Sequence, residues 1–372
     1  MKAKQTKHAE IARELRAEIA SGKYGAEGRL PSEAQLVKRF GVSRPTVGQA
    51  FRALETEGLI TRRAGSGTYA RPATNATGRL LALLIPDLGN TEIFQLICGE
   101  IAGLARVNDY SLVWGGSGQP RLDADGSLQH ARELCRHYIE RRVSGVFFAP
   151  YELLPEQEAA NRDMAVMLRD AGIQVILLDR DFAAFPRRHD FDVVGVDNIA
   201  AGWQLAEHLI KLGCRRLQFV SRPLSAPTVQ ARIAGAREAL AQHRIACPDD
   251  WVREGDPGDV KFVRSLLVPN RPDAFICAND HTAALLLRSL AQLKVNVPNE
   301  VRVVGLDDVK FAQLVSPALT TMQQPCREIA IAAFLAMTER LADPTIPARQ
   351  ITLAPRLIVR DSCGAYLPRP RN

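Results

Sequence analysis

Five side chains near the start of the chain carry groups that hydrogen-bond phosphates and base edges. They are Ser43, Arg44, Thr46, Gln49 and Arg52, within the segment "FGVSRPTVGQAFRALETEGLI". Arginine can bind guanine, glutamine can bind adenine, and hydroxyl groups can bind phosphate oxygens. Further along, Arg62 precedes a glycine-rich turn made of Gly65, Ser66 and Gly67. These residue types predict binding to double-stranded DNA.

The positive charge of the chain is concentrated around these residues. The 372 residues carry a formal net charge of +7. Residues 1–72 contain 14 Lys and Arg against 7 Asp and Glu, whereas the other 300 residues contain 34 of each sign. A confined basic segment is typical of a nucleic-acid-binding module, because clustered Lys and Arg neutralise phosphates and release counterions. A merely solvated basic face is the alternative that charge alone leaves open.

The periodicity of this segment predicts the elements that would position the DNA-binding residues. Ile11, Leu15 and Ile19 recur at a spacing of four, which is typical of an amphipathic helix. Ser32 can cap a second helix, and Gly41 suits a left-handed turn at its end. A third helix would begin after Ser43 and bury Val47, Ala50, Phe51 and Leu54. Two helices joined by a short glycine turn form a helix-turn-helix, and the extended pieces that follow predict a hairpin wing.

The ordered motifs "LPSE", "FGVSRPTV", "LETEGLI" and "GSGT" resemble the winged helix-turn-helix of the GntR family of bacterial transcription regulators. The resemblance covers residues 5–72 and implies DNA contacts at Ser43, Arg44 and Thr46 and at the wing glycines. The family commonly has arginines where this chain has Ala34 and Gly48, so Gln49 is assigned from its own chemistry. A helical protein-interaction module is the alternative for this segment.

Strand-like and helix-like runs alternate through the rest of the chain, which predicts an α/β fold with parallel sheets. The predicted strands are residues 80–85, 111–114, 145–149, 174–178, 193–196, 216–220, 273–278 and 301–306. Eight strands are more than one hydrophobic core comfortably holds, and we therefore expect two lobes. The predicted domains are a DNA-binding domain at 1–72, a linker at 73–79, a bilobed sensor at 80–362 and a tail at 363–372.

Ligands in such folds bind beyond the carboxyl ends of the strands, where this chain places polar and aromatic residues. The stretches "VILLDRDF", "FICANDHTAALLLRSL" and "VRVVGLDD" resemble the sensor domain of the lactose and galactose repressor family, which is built like periplasmic sugar-binding proteins. The resemblance implies ligand contacts at Asn90, Arg180, Arg232, Asn279 and Asp307, with Gln324 near the crossover between lobes. Planar polar groups bind vicinal hydroxyls of a sugar, and an aromatic face covers its ring. Phe94, Tyr151, Phe182 and Trp114 are either such platforms or core residues.

The combination of both resemblances is that of arabinose-responsive hybrid regulators. We expect a repressor that binds operator DNA as a homodimer and responds to a small sugar. A DNA-binding head fused to an aminotransferase-like or sugar-processing enzyme is the alternative, although no nucleophile–base pair is evident. A transport binding protein is disfavoured, because no signal peptide is evident and the head is basic.

Cysteine spacing and hydropathy bound the remaining possibilities. Seven scattered cysteines without a C-x-x-C pair predict neither a metal site nor a disulfide framework, and no cofactor is expected. No run approaches ~18 uncharged apolar residues, so we expect no membrane partner and a cytoplasmic location.

Overall fold

The computed structural model describes residues 7–20, 23–24, 29–56, 59–63, 67–70, 80–86, 92–115 and 124–367. Contacts divide the chain into two compact units, Met1–Arg79 and Leu80–Asn372. The finer boundaries that the sequence suggests, at residues 72, 79 and 362, stay predictions. Among the described residues, no helix combines the length and the apolar character needed to cross a membrane.

The described residues of the first unit form three helices and a hairpin. They are α1 (Lys7–Ala20), α2 (Glu33–Phe40), α3 (Arg44–Thr56), β1 (Ile60–Arg63) and β2 (Gly67–Ala70), and the two strands pair antiparallel. Ser32 caps α2 as predicted, since its Oγ accepts from the Gln35 amide at 3.3 Å. The Ser32 amide donates in return to Gln35 Oε1 at 2.8 Å. Gly41 ends α2 at a φ of 62°, which glycine adopts without a Cβ clash.

One apolar core holds the three helices together. Its buried members include Ile11, Leu15, Ile19, Leu36, Val47, Ala50, Phe51 and Leu54. The predicted inward faces of α1 and α3 are thereby confirmed. Burial of one face of α3 leaves its opposite face in solvent, which is the condition for a helix that contacts another macromolecule.

The first lobe of the second unit is a parallel six-stranded sheet with helices on both faces. Its strands are β3 (Leu80–Leu84), β4 (Ser111–Trp114), β5 (Gly145–Phe148), β6 (Gln174–Leu178), β7 (Asp192–Val196) and β13 (Gln350–Leu353), and its helices are α4 (Glu92–Val107), α5 (Ala124–Glu140), α6 (Gln157–Asp170) and α11 (Cys326–Ala342). The strand order is β4-β3-β5-β6-β7-β13. Buried residues of α4 and α11 cover one face of the sheet, and those of α5 and α6 cover the other.

The second lobe repeats this plan. Its strands are β8 (Leu217–Ser221), β9 (Val252–Glu254), β10 (Ala274–Cys277), β11 (Arg302–Asp307), β12 (Thr320–Gln323) and β14 (Arg356–Ile358), and its helices are α7 (Asn198–Lys211), α8 (Pro227–Gln242), α9 (Val260–Leu266) and α10 (Asp280–Gln292). The order is β9-β8-β10-β11-β12-β14, in which only the β12–β14 pair is antiparallel. Helices α7 and α8 pack so closely that a Cβ at Gly202 would lie 1.9 Å from the Arg232 carbonyl oxygen.

The chain crosses between the lobes after β7, after β12 and after β13. The predicted two-lobed α/β fold and all eight predicted strands are confirmed. Sequence reasoning missed β9, β12, β13 and β14, which are three or four residues long. Three of them are only partly buried, so they lack the continuous apolar run that marks a central strand.

Candidate functional site

Helix α3 presents the polar groups that the sequence assigns to DNA. Ser43, Arg44, Gln49 and Arg52 are exposed, and Thr46 is half-buried. The hydroxyl oxygens of Ser43 and Thr46 lie 2.8 Å apart, so one donates to the other at the start of the helix. The Arg44 side chain is 74% exposed, and its Nε lies 3.6 Å from Glu33 Oε2. This loose ion pair leaves the guanidinium able to turn toward a phosphate or a guanine.

The predicted wing is a hairpin. Arg62 lies on β1 opposite Thr68 of β2, and Gly67 begins β2. Gly65 and Ser66 lie outside the described residues, so their predicted DNA contacts, like that of Arg62, stay predictions.

A carboxylate that sequence reasoning missed fixes α1 against α2. Arg39 Nη1 donates to Glu18 Oε2 at 3.0 Å, and Arg39 Nη2 donates to Glu18 Oε1 at 2.6 Å. Lys23 donates to the same carboxylate at 2.5 Å, and the Tyr24 hydroxyl donates to it as well. These bonds, led by that of Arg39, lower the pKa of Glu18 to about 2. Nothing in the spacing of Glu18 and Arg39 along the chain indicates that they meet.

A cavity of about 550 Å³ lies between the two lobes of the second unit, at the carboxyl ends of their strands. Six predicted ligand residues line it, namely Phe94, Arg180, Arg232, Asn279, Asp307 and Gln324. Asn90 lies outside the described residues. The volume is within the range of small-molecule sites, and both lobes contribute polar groups to its walls.

Arg180 is a buried cation held by carboxylates of its own lobe. Its Nη1 donates to Asp179 Oδ2 at 2.9 Å, its Nε donates to the Pro150 carbonyl at 2.9 Å, and its Nη2 lies 3.4 Å from Glu152 Oε1. Burial opposes the positive charge, but Glu152 and Asp179 outweigh it and raise the pKa of Arg180. The guanidinium carbon lies 5.7 Å from the centroid of the Phe94 ring. Arg180 is therefore charged and fixed in place before a ligand arrives.

Asp307 and Arg232 face the cavity from the second lobe. Burial raises the pKa of Asp307 to about 8, and Arg232 opposes that rise. Gln324 Nε2 donates to Asp307 Oδ1 at 2.8 Å. Arg232 is 6% exposed, and it donates from Nε to Asn198 Oδ1 at 2.7 Å and from Nη1 to the Ala278 carbonyl at 2.6 Å. These bonds orient a carboxyl and a guanidinium, which together can bind neighbouring hydroxyls.

The aromatic assignments need correction. Phe182 is 2% exposed and packs at 4.1 Å between ring centroids against His189 inside the first lobe, away from the cavity lining. Tyr151 also packs against that core and is not part of the lining. Trp114 is 58% exposed on the edge strand β4, so it belongs neither to the core nor to the site. Only Phe94 both lines the cavity and packs in the core.

Several lining residues were not predicted. They include Glu92, Glu152, Arg222, Thr228, His281 and Phe311. Burial, with Arg222 nearby, lowers the pKa of His281, which favours the neutral ring. Most of these residues lie some way along the loop or helix that follows a strand, so a search restricted to strand ends does not find them.

Comparison with known proteins identifies both units. Residues 7–70 match the family model described as bacterial regulatory proteins of the gntR family, and residues 206–363 match a periplasmic binding protein-like domain. The chain carries a GntR-type helix-turn-helix followed by a LacI-type, periplasmic-binding-protein-like domain. It is a transcription regulator of this composite type.

Proteins similar to this chain are named as transcription regulators. The arabinose metabolism transcriptional repressor of Geobacillus stearothermophilus is 25% identical over 368 residues, covering 96% of this chain and 97% of that protein. The HTH-type transcriptional repressor PurR of Vibrio campbellii is 27% identical over 338 residues, covering 87% and 95%. A LacI family regulator from Enterococcus faecium, solved with bound ribose, superposes with a TM-score of 0.61 at 22% identity, covering 76% of this chain and 98% of that one. All three are regulators, and the last shows the fold of the sensor.

Proposed function

We propose that this regulator is a repressor that binds a two-fold symmetric operator as a homodimer and that a sugar or related polyol in the interlobe cavity changes its affinity for that DNA. The exposed polar face of α3 supports the DNA contact. The paired charges of the cavity support a ligand that is neutral and rich in hydroxyl groups. A relative named for arabinose metabolism and a similar structure solved with bound ribose support the same ligand class.

The observation that carries the proposal is a pair of buried acceptors in the cavity wall. Asp179 Oδ1 and Gln324 Oε1 receive no hydrogen bond from any described part of the protein. Their residues are 5% and 4% exposed. A buried acceptor left without a donor costs about 1–3 kcal/mol. Less than 1 Å² of either atom is exposed, so a polyol, which brings several hydroxyl donors, would satisfy both atoms and recover that free energy only after the two side chains turn toward the cavity.

A thermal-shift panel of pentoses, hexoses, glycosides and sugar acids tests the ligand class. At a ligand concentration of 100 times Kd, the native state gains about 2.7 kcal/mol, which raises Tm by several degrees. We expect one sugar to give this shift and its epimer at equal concentration to give much less. Stabilisation by nucleobases or amino acids and by no sugar would refute the proposed effector. Chromatography of the hit after incubation distinguishes binding from turnover, and product formation would favour the enzyme alternative.

Sedimentation tests the assembly. A homodimer would place its two recognition helices about 34 Å apart, one turn of the DNA helix. We expect two protein chains per duplex containing one inverted repeat. One chain bound with the same affinity to a half-site and to the full repeat would contradict the homodimer.

A further inference from the structure

Helix α8 in the second lobe begins without a capping side chain of its own. Ala226 occupies the N-cap position, makes no side-chain cap hydrogen bond, and is followed by Pro227. The first amides of a helix have no partner within the helix, and they give that end a partial positive charge. Such an end is stabilised by any carboxylate that reaches it.

The carboxylate that reaches α8 comes from the opposite lobe. Glu152, in the loop between β5 and α6, accepts from the Ala226 amide with Oε2 at 3.1 Å. Its Oε1 lies 3.4 Å from Arg180 Nη2. Glu152 therefore joins a cavity arginine of one lobe to a helix terminus of the other lobe.

A backbone hydrogen bond next to Glu152 also crosses between the lobes. The Leu153 amide donates to the Leu224 carbonyl at 2.9 Å. Both residues have a φ of 60°, in the left-handed region that disfavours side chains with a Cβ. We call Glu152, Leu153, Leu224 and Ala226 the interlobe latch. At another point of the cavity lining, Glu92 Oε2 accepts from the Lys310 amide at 2.6 Å, so the lobes also meet there.

We propose that Glu152 is a positioning residue that closes the lobes over the cavity by capping α8 from the opposite lobe. Opening the lobes removes the acceptor from Ala226 and leaves the start of α8 uncapped. Closure therefore gains a charge–dipole interaction and a hydrogen bond that the open state lacks. Arg232 belongs to the same helix, so the latch also sets the distance between Arg180 and Arg232 on the two walls. The inference rests on the proposed function only in supposing that the lobes open and close around an effector.

Hydrogen exchange on the full-length protein without added ligand tests the latch directly. In the Glu152→Ala variant, we expect amides in residues 222–230 to exchange about five-fold faster, the effect typical of losing an N-cap. The Leu153 amide should also lose protection. The Glu152→Gln variant keeps an acceptor oxygen but loses the charge, so its exchange rate should lie between those of Glu152→Ala and the wild type.

Glu158→Ala is the matched control. Glu158 lies on α6 of the same lobe, and its Oε2 accepts from Arg187 Nη2 at 3.1 Å outside the 550 Å³ cavity. This change should leave the exchange of residues 222–230 at the wild-type rate. Exchange in residues 301–306, within the second lobe, reports whether each variant is folded.

A rescue variant distinguishes the latch from general destabilisation. Ala226→Ser gives α8 a cap of its own, so adding it to Glu152→Ala should restore protection after residue 226 but not at Leu153. Unchanged exchange of residues 222–230 and of the Leu153 amide in folded Glu152→Ala or Glu152→Gln protein would overturn the latch. Because the exchange experiment contains no sugar, its failure would not bear on the proposed sugar ligand. A sugar panel without hits would not bear on the latch.

Discussion

The two units use arginine in opposite ways. Arg44 of the DNA-binding head is 74% exposed on its side chain, with one carboxylate 3.6 Å away. Arg180 and Arg232 of the sensor are 7% and 6% exposed, and each makes hydrogen bonds of 2.6–2.9 Å. An exposed arginine can adjust to a phosphate backbone, whereas a buried arginine must be paired before a ligand arrives. The same residue type thus serves adaptable binding in one unit and pre-oriented binding in the other.

The distribution of charge follows the same division. The excess positive charge of the chain lies in residues 1–72, and the cavity holds carboxylates beside its arginines. A polyanion is therefore favoured at the head, and a small neutral polar ligand is favoured in the sensor.

Removing the Asp307 carboxyl should have the largest effect on the sensor and none on the head. In Asp307→Ala, the affinity for the sugar found in the panel should fall about 100-fold, because a pre-oriented hydrogen-bonding group is lost. Calorimetric titration measures this affinity, and the affinity for DNA without sugar should be unchanged. Asp308→Ala is the control, since Asp308 bonds Arg360 and Gln323 outside the cavity lining. Equal loss in both variants would show that destabilisation, and not ligand contact, explains the result.

Removing Arg44 should give the converse result. Arg44→Ala should weaken binding to operator DNA about 10- to 100-fold, because a base or phosphate contact is lost. The sugar-induced rise in Tm should stay at the wild-type value. Arg162→Ala removes an equal charge from the exposed face of α6 in the sensor and should leave DNA affinity unchanged. Equal weakening by both changes would mean that net charge, rather than α3, determines binding.

The sequence predicts these two regions unequally, for a physical reason. The sequence predicts strands β3 to β8, β10 and β11 because their apolar runs are continuous. It predicts the polar face of α3 because the residues of that face are close together along the chain. Glu18, Glu152 and Glu92 were missed because each acts on a partner that only the folded chain brings near. Phe182 was assigned to the site because it follows a strand. The loop instead turns its ring into the core, an outcome that depends on tertiary packing.

Changing Glu18 should destabilise the head alone. Glu18→Gln weakens the bonds from Arg39 and Lys23, and we expect a loss of about 1–2 kcal/mol in the free energy of unfolding of the head. All three tryptophans lie beyond residue 79, so tryptophan fluorescence reports on the sensor and far-UV circular dichroism reports on both units. A shift of the fluorescence transition in urea would contradict a local role for Glu18.

Two carboxyls should give opposite dependences of stability on pH. The pKa of Glu18 is lowered to about 2, so its contribution is present above pH 4.5 and is lost as pH falls toward 2. The pKa of Asp307 is raised to about 8, so the native state holds its proton more tightly and its stability falls as pH rises from 3.8 toward 8. The free energy of unfolding of Glu18→Gln should therefore approach that of wild type in acid. The free energy of unfolding of Asp307→Asn should rise relative to wild type as pH rises. Urea unfolding at pH 3, 5 and 8 measures both differences, and parallel curves would contradict the shifts.

The most direct test of the account is the affinity for duplex DNA from the region upstream of the coding sequence, measured by fluorescence anisotropy over a range of salt, with and without the sugar found in the panel. We predict that log K falls linearly with log salt and that the sugar changes the affinity by about 5- to 150-fold, which corresponds to a coupling of ~1–3 kcal/mol. An affinity that depends on neither salt nor sugar would contradict the account.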